Sequence, residues 1–150
     1  MTDHAVIDEL KTLVDPGKVL TDPASLEAYG KDWTQHYPPA PTAIVLPKTV
    51  EQVQAIVRWA NRHQVALVPS GGRTGLSGAA VAANGEVVVA FDGMNRILDF
   101  NPFDRTVRCE PGVITRQLQQ FAEEQGLYYP VDFASSGSSQ IGRASCRERV

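Results

Sequence analysis

Apolar and polar positions alternate with two periods along this chain, and the change of period divides it. Val6, Leu10, Leu13 and Val14 recur at helical spacing, so residues 5–14 read as an amphipathic helix stopped by Asp15-Pro16-Gly17. Asp22-Pro23 opens a second short helix that runs through Ala28 or Tyr29 and ends at Gly30. Tyr37-Pro38-Pro39-Ala40-Pro41 reads as an extended connection. Ala43-Ile44-Val45-Leu46 is a short continuous apolar run, the pattern of a strand covered on both faces. Thr49 with Gln52 forms a capping-box pattern before a helix whose apolar face is Val53, Ile56, Val57 and Ala60. Ala66-Leu67-Val68 is the next strand. Residues 44–68 therefore predict a strand–helix–strand unit with a parallel pair and a right-handed crossover.

Beyond residue 85 the rhythm shortens. Residues 86–90, 96–100 and 106–110 read as strands separated by Asp92-Gly93-Met94-Asn95 and Asn101-Pro102-Phe103-Asp104, which predicts a meander. A helix follows from Thr115 to Glu124, with Leu118, Phe121 and Ala122 on one face and Gly126 as its stop. Residues 127–130 are extended, and residues 131–142 form a serine- and glycine-rich loop. The fold class is α+β: a small βαβ subdomain, then a mainly antiparallel one.

Composition changes this picture little. The chain has 150 residues, 43% hydrophobic and 21% charged, with a net charge of −3. These values fit one globular domain. No basic run marks a nucleic-acid face, and no apolar stretch is long enough for a transmembrane segment. Met1-Thr2-Asp3-His4 lacks the plan of a signal peptide, so the expectation is a cytoplasmic protein. Cys109 reads as a small buried hydrophobe. His4 reads as a terminal residue, His63 as the end of a helix, and His36 has no visible partner. No metal site and no catalytic residue is assigned.

The chemistry concentrates in Val68-Pro69-Ser70-Gly71-Gly72-Arg73-Thr74-Gly75-Leu76-Ser77-Gly78, which follows a strand. So much bare backbone suits main-chain N–H groups wrapped around a phosphate or pyrophosphate, where side chains would hold the anion off. A phosphate-hydrolase loop needs a lysine here, and none follows Lys48. A Rossmann loop leads straight into a helix, whereas residues 79–85 carry weak helical periodicity. A longer loop lying along a pyrophosphate remains, beside the plain alternative of a tight connection.

Pro69 to Gly78 closely resembles the flavin loop of the vanillyl-alcohol-oxidase-type FAD-binding proteins. The nearest likeness is to the D-lactate, glycolate and D-2-hydroxyglutarate dehydrogenase branch. Asp32-Trp33-Thr34, Pro47 to Asn61, Pro111-Gly112-Val113 and Tyr129-Pro130-Val131-Asp132 through Ile141-Gly142 agree in order. The resemblance implies FAD as cofactor. Ser70, Gly71, Gly72, Arg73, Thr74, Gly75, Ser77 and Gly78 would lie around its pyrophosphate, and Pro111 and Gly112 near the flavin or ribityl chain. Asp132, Ser135 and the stretch from Ser138 to Gly142, Ile141 included, would line the flavin from the other side.

Arg73 could point outward into water or add charge to the site. Outward is the expectation, because the loop needs only its N–H. Some members of the family attach flavin through a histidine; none follows His63, so FAD is expected to be non-covalent. The implied parent oxidises a 2-hydroxy acid substrate by hydride transfer to FAD, with the electron acceptor unassigned. Another oxidase or reductase on the same FAD module, or a non-catalytic FAD-binding fragment, stands as the alternative.

The expected domain plan is N-terminal helices and linker over 1–41 and an FAD-binding domain over 42–142, truncated at its C-terminus. Residues 143–150, from Arg143 to Val150, read as a non-native, adapter-derived tail, since relatives continue Ile-Gly-Gly-Asn.

Overall fold

The expected first helix is α1 (Asp3–Leu13), whose Val6 and Leu10 are buried with Val14 just beyond it. The structure, a computed structural model, describes residues 3–34, 36–132 and 134–144. The Asp15 carboxylate accepts from the Gly17 amide at 3.0 Å and caps a 3-10 turn over Pro16–Lys18. The two-residue strand β1 (Val19–Leu20) follows; it is too short to leave a hydrophobic pattern. Asp22 caps α2 (Pro23–Gly30) by accepting from the Ser25 amide at 2.9 Å. A Cβ on Gly30 would meet Pro39 and Pro41 at 2.9 Å, so the proline segment packs against the helix end.

Strand β2 (Ala43–Val45) is buried along its whole length. Thr49 caps α3 (Val50–His63), with Gln52 N donating to Thr49 Oγ1 at 3.3 Å. The Gln52 amide oxygen accepts from Lys48 N at 2.7 Å, one residue before the partner a capping box prescribes. Strand β3 (Leu67–Ser70) then completes the parallel unit.

The two strands of that unit are parallel but do not pair with each other. Strand β4 (Val87–Ala90) lies between them, and the sheet order is β1-β2-β4-β3. The meander expected over residues 86–110 is thus corrected: β4 leaves it and joins the parallel sheet. The reason is physical. Val87-Val88-Val89-Ala90 has no polar alternation, and all four residues are buried, as a strand covered on both faces requires. Pro69 lies on β3, at the sheet edge, where its missing N–H leaves no ladder bond unmade.

Each face of the sheet carries its own core. Ala43, Val45, Val87 and Val89 pack with Val6, Leu10, Ile56, Trp59 and Ala60 from α1 and α3. Ile44, Val88 and Ala90 pack with Ala82, and Leu20, Leu26, Tyr29, Leu46 and Val68 lie against them. The N-terminal helix therefore belongs to the same core as the sheet. Trp59 Nε1 donates to Glu9 Oε2 at 2.6 Å and ties α3 to α1.

Strand β1 pairs antiparallel with β2 at the edge of that sheet, and the second sheet is an antiparallel hairpin, β5 (Ile97–Asn101) and β6 (Thr106–Cys109), with a register shift between Ile97 and Asp99. Helix α4 (Thr115–Glu124) packs on it through an edge-to-face contact of Phe100 and Phe121, ring centres 5.6 Å apart. Residues 127–130 form no strand. Ile114 pairs with Gln140 in an isolated bridge, before the short helix α5 (Ile141–Ala144). Residues 145–150, with Cys146, lie outside the described residues, so the tail reading falls mostly beyond them. Among the described residues, no helix is long and apolar enough to cross a membrane.

One ion pair holds the hairpin ends. Arg96 Nη2 and Nε donate to Glu110 Oε1 at 2.6 and 3.1 Å, and Arg96 N donates to Oε2 at 2.8 Å. Glu110 is buried. Hydrogen bonds from the Arg96 side chain hold its carboxyl below the usual glutamate range. A depressed carboxyl contributes stability above its unfolded value and loses it as pH falls through its folded value. Replacing it should matter most at neutral pH. Thermal melts of Glu110→Gln against wild type should show a gap that closes as pH drops below the glutamate range; a gap independent of pH would contradict the pairing.

Candidate functional site

The glycine-rich loop leaves the carboxyl end of β3. Among the described residues, the amides of Gly71 through Ser77 donate to no protein acceptor. Gly78 N donates to Asp32 Oδ2 at 2.9 Å, and Trp33 N donates to Gly75 O at 3.0 Å. Asp32 is buried, and its Oδ1 accepts from Thr34 N at 2.9 Å and Thr34 Oγ1 at 2.6 Å. Asp32-Trp33-Thr34 is thus a brace that grips the far end of the loop. The Asp-x-Thr spacing is an Asx-turn signal, so the turn was readable from sequence although its partner was not. The loop backbone is left-handed at Arg73 (φ +58°) and Gly78 (φ +73°). No helix follows it.

Arg73 departs from expectation. Its side chain turns back instead of pointing into water. Nη1 donates to Gly71 O at 2.9 Å, and the two Nη atoms reach the Asp92 carboxylate at 3.4 Å each. The guanidinium carbon lies 4.4 Å from the centre of the Tyr29 ring, within cation–π range. Asp92 becomes a neighbour only because β4 pairs with β3, which the sequence pattern did not disclose.

The later segments close around the same place. Phe91 N donates to Ser70 O at 3.2 Å, so the residue after β4 holds the base of the loop. A Cβ on Gly112 would overlap Phe91 O and come within 2.8 Å of Met94 O. Ile141 N donates to Val113 O at 2.8 Å, and Gly142 N to Pro111 O at 3.0 Å. A Cβ on Gly72 would overlap the Ser138 carbonyl and lie 2.9 Å from Ser139 Cα. Ser70 to Gly78, Pro111-Gly112 and Ser138 to Gly142 therefore form one contiguous cluster.

Ser135 lies beneath the cluster. Its carbonyl accepts from the Ser138 and Ser139 amides at 2.8 Å each and closes the turn. Asp132 is exposed and lines a recess of about 190 Å³ with Arg116, Gln119, Glu123, Tyr128 and Tyr129. Its neighbours there belong to α4 and residues 128–129, not to the glycine loop. Phe133 lies outside the described residues.

Two buried oxygens in or beside the cluster, Ser70 Oγ and Gln140 Oε1, have no hydrogen-bond partner among the described residues. Buried polar atoms without partners are uncommon. Gln140 lies within the Ser138 to Gly142 stretch expected to line the flavin, but its burial is not readable, because a glutamine beside serines and glycines carries no signal of it. Cys109 on β6 is half-buried, and desolvation pushes its thiol up, away from the reactive thiolate. Among the described residues, no group of three or more His, Cys, Asp or Glu is placed to hold a metal ion. A row of uncommitted amides beside a buried hydroxyl suits an anion bound by main chain, such as a pyrophosphate.

Solved structures share this fold. Alkyldihydroxyacetonephosphate synthase matches with a TM-score of 0.84 at 22% identity, over 95% of this chain and 28% of that one. p-Cresol methylhydroxylase matches with a TM-score of 0.74 at 27% identity, over 90% of this chain and 27% of that one. The fold is that of the vanillyl-alcohol-oxidase-type FAD-binding domains. The family model described as "FAD binding domain" matches residues 41–145, and the chain belongs to that family.

Among curated relatives, a D-2-hydroxyglutarate dehydrogenase of Stutzerimonas stutzeri (strain A1501) is 79% identical over 142 residues, 95% of this chain and 31% of the relative. The protein of that name from Xanthomonas citri pv. viticola is 54% identical over 95% of this chain and 30% of its own length. The mitochondrial one of Bos taurus is 32% identical over 90% and 25%. The chain thus spans between a quarter and a third of the length of these relatives.

The contact between the two loops generates a prediction. Gly72→Ala forces a methyl into backbone and should cost about 1–3 kcal/mol in urea unfolding. Gly75→Ala should cost less, because its nearest contact, Asp32 Oδ2, lies 3.5 Å away. Equal losses would contradict the close approach at Gly72.

Proposed function

We propose that this chain is the FAD-binding part of a flavin-dependent dehydrogenase that oxidises a D-2-hydroxy acid of the D-2-hydroxyglutarate type. The uncommitted amides of Gly71 to Ser77, held open between Ser70 and Gly78, carry this reading. The Gly71, Gly72, Arg73, Thr74 and Gly75 amides hold the FAD pyrophosphate, with the Ser70 and Ser77 hydroxyls and Gly78 beside them. Charge-assisted N–H bonds of this kind are about twice as strong as neutral ones. Pro111, Gly112, Ser138, Ile141 and Gly142 approach the flavin or its ribityl chain; Ser135 sets the turn that presents Ser138. Asp132 bounds the same wall from the α4 side.

Bound FAD supplies the two-electron acceptor for hydride from the carbon that bears the substrate hydroxyl. The residues of this chain bind and orient; none of them is assigned the proton from that hydroxyl. Attachment is non-covalent: the loop has no histidine, and the Cys109 thiol is raised by burial. The FAD-binding part extends over residues 42–142. The substrate assignment rests on the relatives' names, foremost the 79% identical one.

A chimera tests this reading, with the aligned residues of the Stutzerimonas stutzeri relative replaced by those of this chain. It should purify with stoichiometric FAD whose visible absorbance bleaches on adding D-2-hydroxyglutarate. Acid precipitation should leave a colourless pellet. A folded chimera without flavin would overturn the cofactor assignment, a yellow pellet the non-covalent one, and bleaching only with other hydroxy acids the substrate.

A further inference from the structure

We propose that the Arg73 side chain has a positioning role: its guanidinium sets the shape of the glycine loop through Gly71 and Asp92 and does not itself contact the bound pyrophosphate. The inference rests on the FAD reading above and adds a specific role to one side chain.

Arg73 has a left-handed backbone, φ +58°. A residue with a Cβ holds that conformation only where its surroundings over-determine it. The surroundings here are three. Nη1 donates to Gly71 O at 2.9 Å and ties the loop back on itself. Nη1 and Nη2 face Asp92 Oδ2 and Oδ1 at 3.4 Å each, an ion pair to the residue two beyond β4. Tyr29, near the end of α2, lies beneath the guanidinium at 4.4 Å. One side chain thus joins the loop, the central strand's end and α2.

The same contacts argue against direct binding of the anion. Both Nη atoms are directed at protein oxygens, one face of the guanidinium lies over Tyr29, and the Asp92 carboxylate offsets the charge. The side chain is also only about one-quarter exposed, at 26%. The amides of Gly71 to Ser77 are the donors left open. A guanidinium that bound the pyrophosphate would have to leave its partners, and removing Asp92 would then help binding. A guanidinium that positions the loop is weakened by removing Asp92. The two roles predict opposite signs.

The test uses the apo form of the chimera, titrated with FAD by fluorescence, with amide hydrogen exchange across residues 71–78 in parallel. Arg73→Gln and Asp92→Asn should each raise the FAD dissociation constant about tenfold, a coupling of the size of one ion-pair contact. The double variant should be no weaker than the worse single one, since both break one clamp. Exchange in the loop should speed up in both variants without ligand. Arg73→Lys should fail to rescue, because an ammonium lacks the fork.

Tighter or unchanged FAD binding by Asp92→Asn, with Arg73→Gln still weakened, would overturn the proposal in favour of direct contact. Rescue by Arg73→Lys would do the same. A parent chimera that takes up no FAD overturns the cofactor reading alone. The exchange measurement then reports separately whether Arg73 holds the loop, and unchanged exchange in Arg73→Gln would show that it does not.

Discussion

Everything at the candidate site hangs on the burial of β4 between β2 and β3. Val87 to Ala90 is apolar on both faces, so it stabilises the fold only where both faces are covered. The centre of the parallel sheet is that place. The consequences lie at its carboxyl end. Phe91 holds the base of the glycine loop through Ser70 O, and its own carbonyl leaves room only for a glycine at 112. Asp92 faces Arg73. One strand insertion therefore gathers three separate stretches of sequence into one cluster, at the sheet end where parallel α/β units place ligands.

The glycine loop is built to keep its donors free. Asp32 takes the amide of Gly78, Trp33 takes the carbonyl of Gly75, and Arg73 takes the carbonyl of Gly71. Carbonyls and the terminal amide are spent on structure, while the amides from Gly71 to Ser77 meet no acceptor among the described residues. This division separates a ligand cradle from a tight turn, which would close on its own amides. It explains why the neighbours of the loop are specific and why Gly72 admits no side chain against Ser138.

How much of this was legible follows from what each residue's signal depends on. Local signals survived. The Thr49 cap and the Gly126 stop depend on neighbours within a few residues, and both are present; the α3 stripe is only partly as expected, with Ile56 and Ala60 buried, Trp59 buried beside them and Val57 exposed. The glycine loop could be read as an anion cradle because bare backbone is visible in composition alone. Partners distant in sequence were not readable. Val87 to Ala90 was placed in a meander because its neighbours in the chain are turns and strands, although its unbroken apolarity pointed to a buried parallel strand. The outward expectation for Arg73 fails because its partners Asp92 and Tyr29 are 19 and 44 residues away along the chain. The burial of Gln140 is not readable, because nothing in Ser138-Ser139-Gln140 distinguishes a buried amide from a solvated one.

The central claim is that the open amides at the carboxyl end of the sheet receive the FAD pyrophosphate. Backbone amide NMR of the chain with FAD titrated in tests it residue by residue. The account predicts that the largest shifts fall on Gly71 to Ser77, with smaller ones at Gly112 and Ser138 to Gly142, and none along a groove between the β5–β6 hairpin and α4 lined by Phe100, Val107, Leu118, Phe121 and Leu127. Shifts centred on that groove, with the glycine loop unmoved, would contradict it.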